Sequence, residues 1–189
     1  MPRWGPDADD RLYRSALQLI LERGYDQVTV ADIAEHAGLT KRSFFRHYAD
    51  KREVLFAGAA DFEQGVVDSI RAAPPTVPPL DAVLAALTEA GTRLTAWGEP
   101  ARRRQQVVAS STELQERELI KMASLTASVA AALRDRGVEG RTATLVAQVG
   151  AAAFSTAFQQ WADATGPVDL HAIMADARDR LRAAICDPG

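Results

Sequence analysis

Residues 29–48 read TVADIAEHAGLTKRSFFRHY, from Thr29 to Tyr48. Val30, Ile33, Ala34 and Ala37 recur at helical spacing and make one apolar stripe. Thr29 stands immediately before that stripe, where its hydroxyl can accept from an otherwise unpaired N–H and start a helix. Gly38 supplies the positive φ that a sharp helix exit requires. Leu39 plugs the turn, and Thr40 is placed to cap a second helix. Phe44 and Tyr48, four residues apart, turn inward against the first helix. Lys41, Arg42, Ser43, Phe45, Arg46 and His47 fall on the outer faces. Two short helices around a tight turn, the second opening on basic and hydroxyl groups, have the layout of a helix-turn-helix whose second helix enters a DNA major groove.

Around this core, Asp7 to Arg23 reads as a preceding helix with Leu12, Ala16, Leu19 and Ile20 on one face, stopped by Gly24. Asp50 precedes a long fourth helix with Leu55, Ala59, Phe62, Val66 and Ile70 as its stripe. Pro74, Pro75, Pro78 and Pro79 mark an extended link over 72–79. Beyond it come helices over 80–97, 102–110, 110–136, 141–163 and 169–186, with Ser110 and Glu113 spaced as a capping box. Nothing reads as a strand. The expected fold is all-α with about nine helices. A helix-turn-helix DNA-binding domain spans 1–49, and a helical ligand-binding and dimerisation domain spans 50–189, entered by a connecting helix over 50–72.

The segment from Thr29 to Phe56 resembles the DNA-binding domain of TetR-type transcriptional regulators. The family's pattern is carried here by Thr29, Ile33, Ala34, Ala37, Gly38, Leu39, Thr40, Phe44, Phe45, His47, Tyr48, Lys51, Val54 and Leu55. The resemblance implies an N-terminal three-helix reader joined to a larger helical domain that dimerises and binds a ligand. It also implies that Thr29, Thr40 and Lys51 contact backbone phosphates. Phe45 departs from the pattern, which usually has a tyrosine there whose hydroxyl touches a phosphate. A phenyl ring can still pack on sugar or a thymine methyl.

The formal net charge is −3, which looks wrong for a DNA binder until it is divided along the chain. Between Thr40 and Arg52, Lys41, Arg42, Arg46, Lys51 and Arg52 face one acid, Asp50, and it is local charge that engages phosphate. The DNA-binding candidates are Thr29, Thr40, Lys41, Arg42, Ser43, Phe45, His47 and Lys51. Arg42 leads for base reading, because a guanidinium can pair bidentately with guanine. The Arg102 to Arg104 run reads as a solvated helix face.

The 141–163 helix is apolar nearly all round, with Leu145, Val146, Val149, Ala152, Phe154, Phe158 and Trp161 on several faces. The last helix has a stripe at Leu170, Ile173, Met174, Ala177, Leu181 and Ile185. These two helices are expected to build a homodimer as a four-helix bundle. Trp97, Met122, Thr126, Phe154, Phe158 and Trp161 are candidate walls of an apolar effector pocket, with Glu89 or Arg93 as polar anchors.

His36, His47 and His171 are scattered without metal-ligand spacing, and neither a phosphate loop nor a nucleophile elbow is present. No catalysis, cofactor or metal is therefore expected. The lone Cys186 fits a reducing compartment, and residues 1–10 lack the pattern of a signal peptide. The expectation is a cytoplasmic regulator, without a membrane segment, that binds a palindromic operator in double-stranded DNA. It would act as a repressor released by a small, largely apolar effector. The alternative is a regulator with no effector, whose C-terminal domain only dimerises or docks a protein partner.

Overall fold

The structure, a computed structural model, describes residues 7–186; the side chains of Asp7, Ile185 and Cys186 lie outside the described residues. All regular structure among the described residues is helical. None of these helices is long and apolar enough to cross a membrane. The chain divides into two compact units.

The first unit takes residues 1–59 together with 102–119. It contains α1 (Asp7–Arg23), a 3-10 turn (Tyr25–Gln27), α2 (Val30–His36), α3 (Lys41–His47) and α4 (Lys51–Leu55). Most of α7 (Glu99–Ala109) and the first turns of α8 (Thr112–Asp135) complete it. Leu12, Leu19, Ile33, Phe44 and Leu55 form its core with Val107, Val108 and Leu114. The long fourth helix expected from sequence is broken. α4 ends after Leu55, and Gly58 takes φ 80°, a left-handed value that a continuing helix does not allow. Ser110 does not cap α8 either, because its hydroxyl donates back to the Val107 carbonyl at 2.8 Å and so finishes α7.

The second unit takes residues 60–101 and 120–189. Its elements are α5 (Ala59–Ala72), α6 (Pro79–Thr95), the remainder of α8, α9 (Gly140–Asp163) and α10 (Leu170–Cys186). The proline link turns rather than extends. Val77 N–H donates to the Pro74 carbonyl at 3.0 Å, and the Arg136 guanidinium holds the carbonyls of Pro74 and Val77 at 2.8 and 3.2 Å.

α6 and α9 approach closely where glycine removes the Cβ. A methyl at Gly91 would fall 2.6 Å from the Phe154 ring and 2.7 Å from Leu170, and one at Gly150 would collide with Val83. One side of α9 is buried through Ala143, Ala147, Gly150, Phe154, Ala157 and Trp161. On its other side Leu145 is 61% exposed. The last-helix stripe expected to dimerise is partly buried inside its own unit. Leu170 and Met174 are buried, and Ile173 and Leu181 pack on the same core.

Gly150→Ala is expected to destabilise the protein in chemical denaturation, because Val83 is fully buried and β-branched and has no room to yield. Overpacking of this kind costs about 1–3 kcal/mol, against about 1 kcal/mol of helix propensity gained by alanine. Gly65→Ala, whose methyl would meet only the end of the Arg93 side chain at 3.3 Å, should be neutral or stabilising in the same assay.

Candidate nucleic-acid interface

Each helix of the turn motif starts on a side-chain cap. Thr29 Oγ1 accepts from Asp32 N–H at 3.2 Å, while the Asp32 carboxylate accepts from Thr29 N–H at 2.8 Å and from its hydroxyl at 2.6 Å. These bonds hold the Asp32 carboxyl below the usual aspartate range, the Thr29 hydroxyl contributing most. Gly38 takes φ 66°, and the Gly38 and Leu39 N–H groups return to the carbonyls of Glu35 and Ala34 at 2.9 and 2.8 Å. This is the glycine exit expected of such a turn. Thr40 Oγ1 then accepts from Ser43 N–H at 3.1 Å and opens α3.

On α3, Lys41, Arg42, Phe45, Arg46 and His47 are exposed, and Phe45 is 51% accessible. Phe44 faces the other way, fully buried, with its ring centroid 5.6 Å from Phe45 and 5.7 Å from Tyr48. Ser43 does not share the outer face. It is 8% exposed and its hydroxyl lies 2.9 Å from that of Thr40. Its position one turn after the cap places it beneath Thr40 rather than beside Arg42.

Other expected contacts are already engaged within the unit. His47 Nδ1 lies 2.7 Å from the Asp9 carboxylate of α1. Burial, followed by the charge of Asp9, pushes the Tyr48 hydroxyl up to about 12, so it stays a neutral donor. Lys51 Nζ donates to the carbonyls of Tyr25 and Val28 at 2.7 and 2.9 Å. Arg52 is 2.7 Å from Asp50 and 3.6 Å from Glu113. Of the five basic residues counted in the patch, Lys41, Arg42 and Arg46 remain as its exposed members on α3. Arg104 is not a solvated side chain. It donates to the Leu55 carbonyl and to Glu118, each at 3.0 Å, and stacks 4.8 Å from the Phe56 ring centroid. Arg117 pairs with Glu53 in the same unit.

In the second unit, Phe62, Phe154, Phe158 and Trp161 form a continuous ladder of tilted rings, with successive centroids 5.6, 5.7 and 5.4 Å apart. Met122 packs on the same core, and the Thr126 hydroxyl donates to the Met122 carbonyl at 2.8 Å. Trp97 is 59% exposed beyond the end of α6 and joins none of these rings. Glu89 and Arg93 pair with each other at 2.7 Å on the exposed side of α6.

Two family models account for most of the chain. Residues 12–57 match bacterial regulatory proteins of the tetR family. Residues 77–185 match the MftR C-terminal domain. The chain belongs to the TetR family. The regulator TcmR of Streptomyces glaucescens is 36% identical over 74 residues, which cover 39% of this chain and 33% of that protein. The chain thus spans about a third of the length of the curated relatives it matches. Among solved structures, SmeT in complex with triclosan superposes with a TM-score of 0.67 at 21% identity, covering 94% of this chain and 90% of that one. SmeT is the repressor of a Stenotrophomonas maltophilia multidrug efflux pump. Thermus thermophilus FadR in complex with lauroyl-CoA gives 0.57 at 18% identity over 96% of both chains. At these identities the likeness is one of fold.

Within the TetR-family reader, sequence reasoning missed Asp9, because a carboxylate near the chain start gives no local sign that it will meet the end of α3. It also missed Phe62 in the aromatic ladder, which reads from sequence only as part of the buried stripe of the expected long fourth helix.

Asp50 caps α4 by accepting from the N–H groups of Arg52 and Glu53 at 2.8 and 3.1 Å. The Arg52 side chain, first among these partners, lowers the Asp50 pKa below its usual value. Stability from this group is therefore present above the unfolded value of about 3.9 and is lost as pH falls through the lower folded value. Asp50→Asn keeps a capping oxygen but not the charge. Acid titrations followed by circular dichroism should show a shallower loss of stability in the variant, which is less stable than the wild type at neutral pH and converges with it in acid.

Proposed function

We propose that the chain is a sequence-specific transcriptional regulator that binds a palindromic operator in double-stranded DNA as a homodimer. The carrying observation is a two-sided recognition helix: Phe44 is sealed in the core while Lys41, Arg42, Phe45 and Arg46 stand exposed on the outer faces of α3. Arg42 reads a base edge. Lys41, with Thr29 and Thr40 at the two helix starts, meets the backbone, and Phe45 makes the apolar contact. His47 reaches phosphate only by leaving Asp9, and Ser43 supports Thr40 from beneath. The exposed side of α9, with Leu145, the half-buried Val149 and the exposed Ala152 spaced along it, is the face offered to a second copy.

The aromatic ladder supports a repressor released by a small, largely apolar effector. Four rings on α5 and α9 contact one another without a hydrogen bond between them, so a planar apolar molecule can replace ring–ring contact with ring–ligand contact. SmeT with triclosan and FadR with lauroyl-CoA, each on this fold, hold small-molecule ligands. The effector would favour a dimer whose recognition helices no longer match adjacent major grooves, roughly 34 Å apart.

Fluorescence anisotropy on fragments upstream of the gene, against random DNA over a salt series, tests the reading. One fragment should bind far more tightly than random sequence, and equal, steeply salt-dependent binding to all DNA would overturn it. Arg42→Ala is expected to lose about 1–3 kcal/mol on the specific fragment and much less on random DNA. Leu145→Glu should give a monomer in light scattering that has lost tight operator binding. Retention of the dimer by that variant would remove α9 from the interface.

A further inference from the structure

Lys51 opens α4, yet its side chain runs back to the segment between α1 and α2. The ammonium donates to the Tyr25 carbonyl at 2.7 Å and to the Val28 carbonyl at 2.9 Å, and it stands 3.7 Å from the centroid of the Tyr25 ring. An ammonium has three N–H donors and no acceptor. Two carbonyls take two of them, and the face of the ring takes the remaining direction as a cation–π contact. A phosphate oxygen arriving at Lys51 would have to displace one of these partners.

The two carbonyls bracket the 3-10 turn. Val28 N–H donates to the Tyr25 carbonyl at 3.3 Å, so the turn is closed twice, once by its own backbone and once by Lys51. Tyr25 and Val28 are both buried, at 5% and 1% exposure. Without the ammonium the buried Val28 carbonyl would lose its side-chain partner, and buried acceptors are costly to leave unpaired. The residue after Val28 is Thr29, which caps α2 and thereby fixes where the turn motif begins. Burial also draws the Lys51 pKa below the ordinary lysine value, with Glu113 and Asp26 opposing, as expected for an ammonium held in the protein rather than offered to solvent.

We propose that Lys51 is a positioning residue of the DNA-binding surface. It closes the turn between α1 and α2, sets the placement of Thr29, and does not ligate phosphate. The proposal rests on the DNA-binding reading above and assigns a different task to one residue within it.

Lys51→Met keeps the aliphatic stem and removes the charge. With a mixed-sequence DNA duplex as probe, binding is measured over a salt series well below the melting temperature of each variant. Lys51→Met should bind several-fold more weakly with the wild-type slope of log affinity against log salt. Its effect should also be non-additive with that of Thr29→Val, because the cap has already lost its placement. A slope flattened by about 0.9, the value of one lost phosphate contact, with the melting temperature unchanged, would overturn the proposal. So would strictly additive effects with Thr29→Val.

If Lys51→Met does not fold, amine footprinting of the wild-type protein by mass spectrometry decides. Lys51 should react slowly with acetic anhydride both free and on DNA, whereas Lys41 should become protected only on DNA. Equal reactivity of the two lysines in the free protein would overturn the clamp. Failure of the wild-type protein to bind the duplex at low salt would instead overturn the DNA-binding reading, and with it the Lys51 assignment.

Discussion

α2 and α3 are seven residues each, well below the length at which an isolated helix persists in water. Their geometry therefore depends on what anchors them, and the chief anchor is the burial of Phe44. That ring is fully removed from solvent, against Tyr48 and at the edge of Phe45, in a core that includes Leu12, Leu19 and Ile33. With Phe44 fixed, the rotation of α3 about its axis is fixed, and so is which side chains face outward. Helix capping by Thr29, Thr40 and Asp50 then sets where each short element begins. Apolar packing holds the orientation, and local hydrogen bonds set the register.

The charges follow the same division of labour. A basic patch counted along the sequence overstates what DNA would meet, because Lys51 and Arg52 are committed to carbonyls and carboxylates inside the unit. Arg104 and Arg117 are committed likewise to Glu118 and Glu53. Cations at the edges of the reader hold it together, and those on α3 remain outside.

What was legible in the sequence is what is decided within a few residues. The caps at Thr29 and Thr40, the glycine exit at Gly38 and the inward turn of Phe44 need only local spacing, and the structure places each as expected. Gly58 was legible in principle but hidden by the apolar stripe running across it, since Leu55, Ala59 and Phe62 keep helical spacing through the break. The partners of Lys51 and His47 lie 26 and 38 positions away in the chain (Tyr25 and Asp9), and nothing in local composition points to them. The pocket candidates divide for a similar reason. Phe154, Phe158 and Trp161 share one helix face and meet, whereas Trp97 lies past a helix end where periodicity no longer predicts direction.

The first unit is built from two separate stretches of chain, and Val107, Val108 and Leu114 contribute to its core from the second. It is consequently not a cassette that can be cut out after Ala59. A fragment ending there would bare the surfaces that those three residues cover and strip α4 of its Arg104 and Arg117 contacts. Chimaeras made by exchanging the N-terminal segment between regulators of this fold inherit the same constraint. A transplanted reader keeps its shape only if residues 102–119 travel with it, or if the host supplies side chains of matching volume there. Exchange of DNA specificity in such proteins is therefore better confined to the exposed residues of α3 than attempted by moving whole domains.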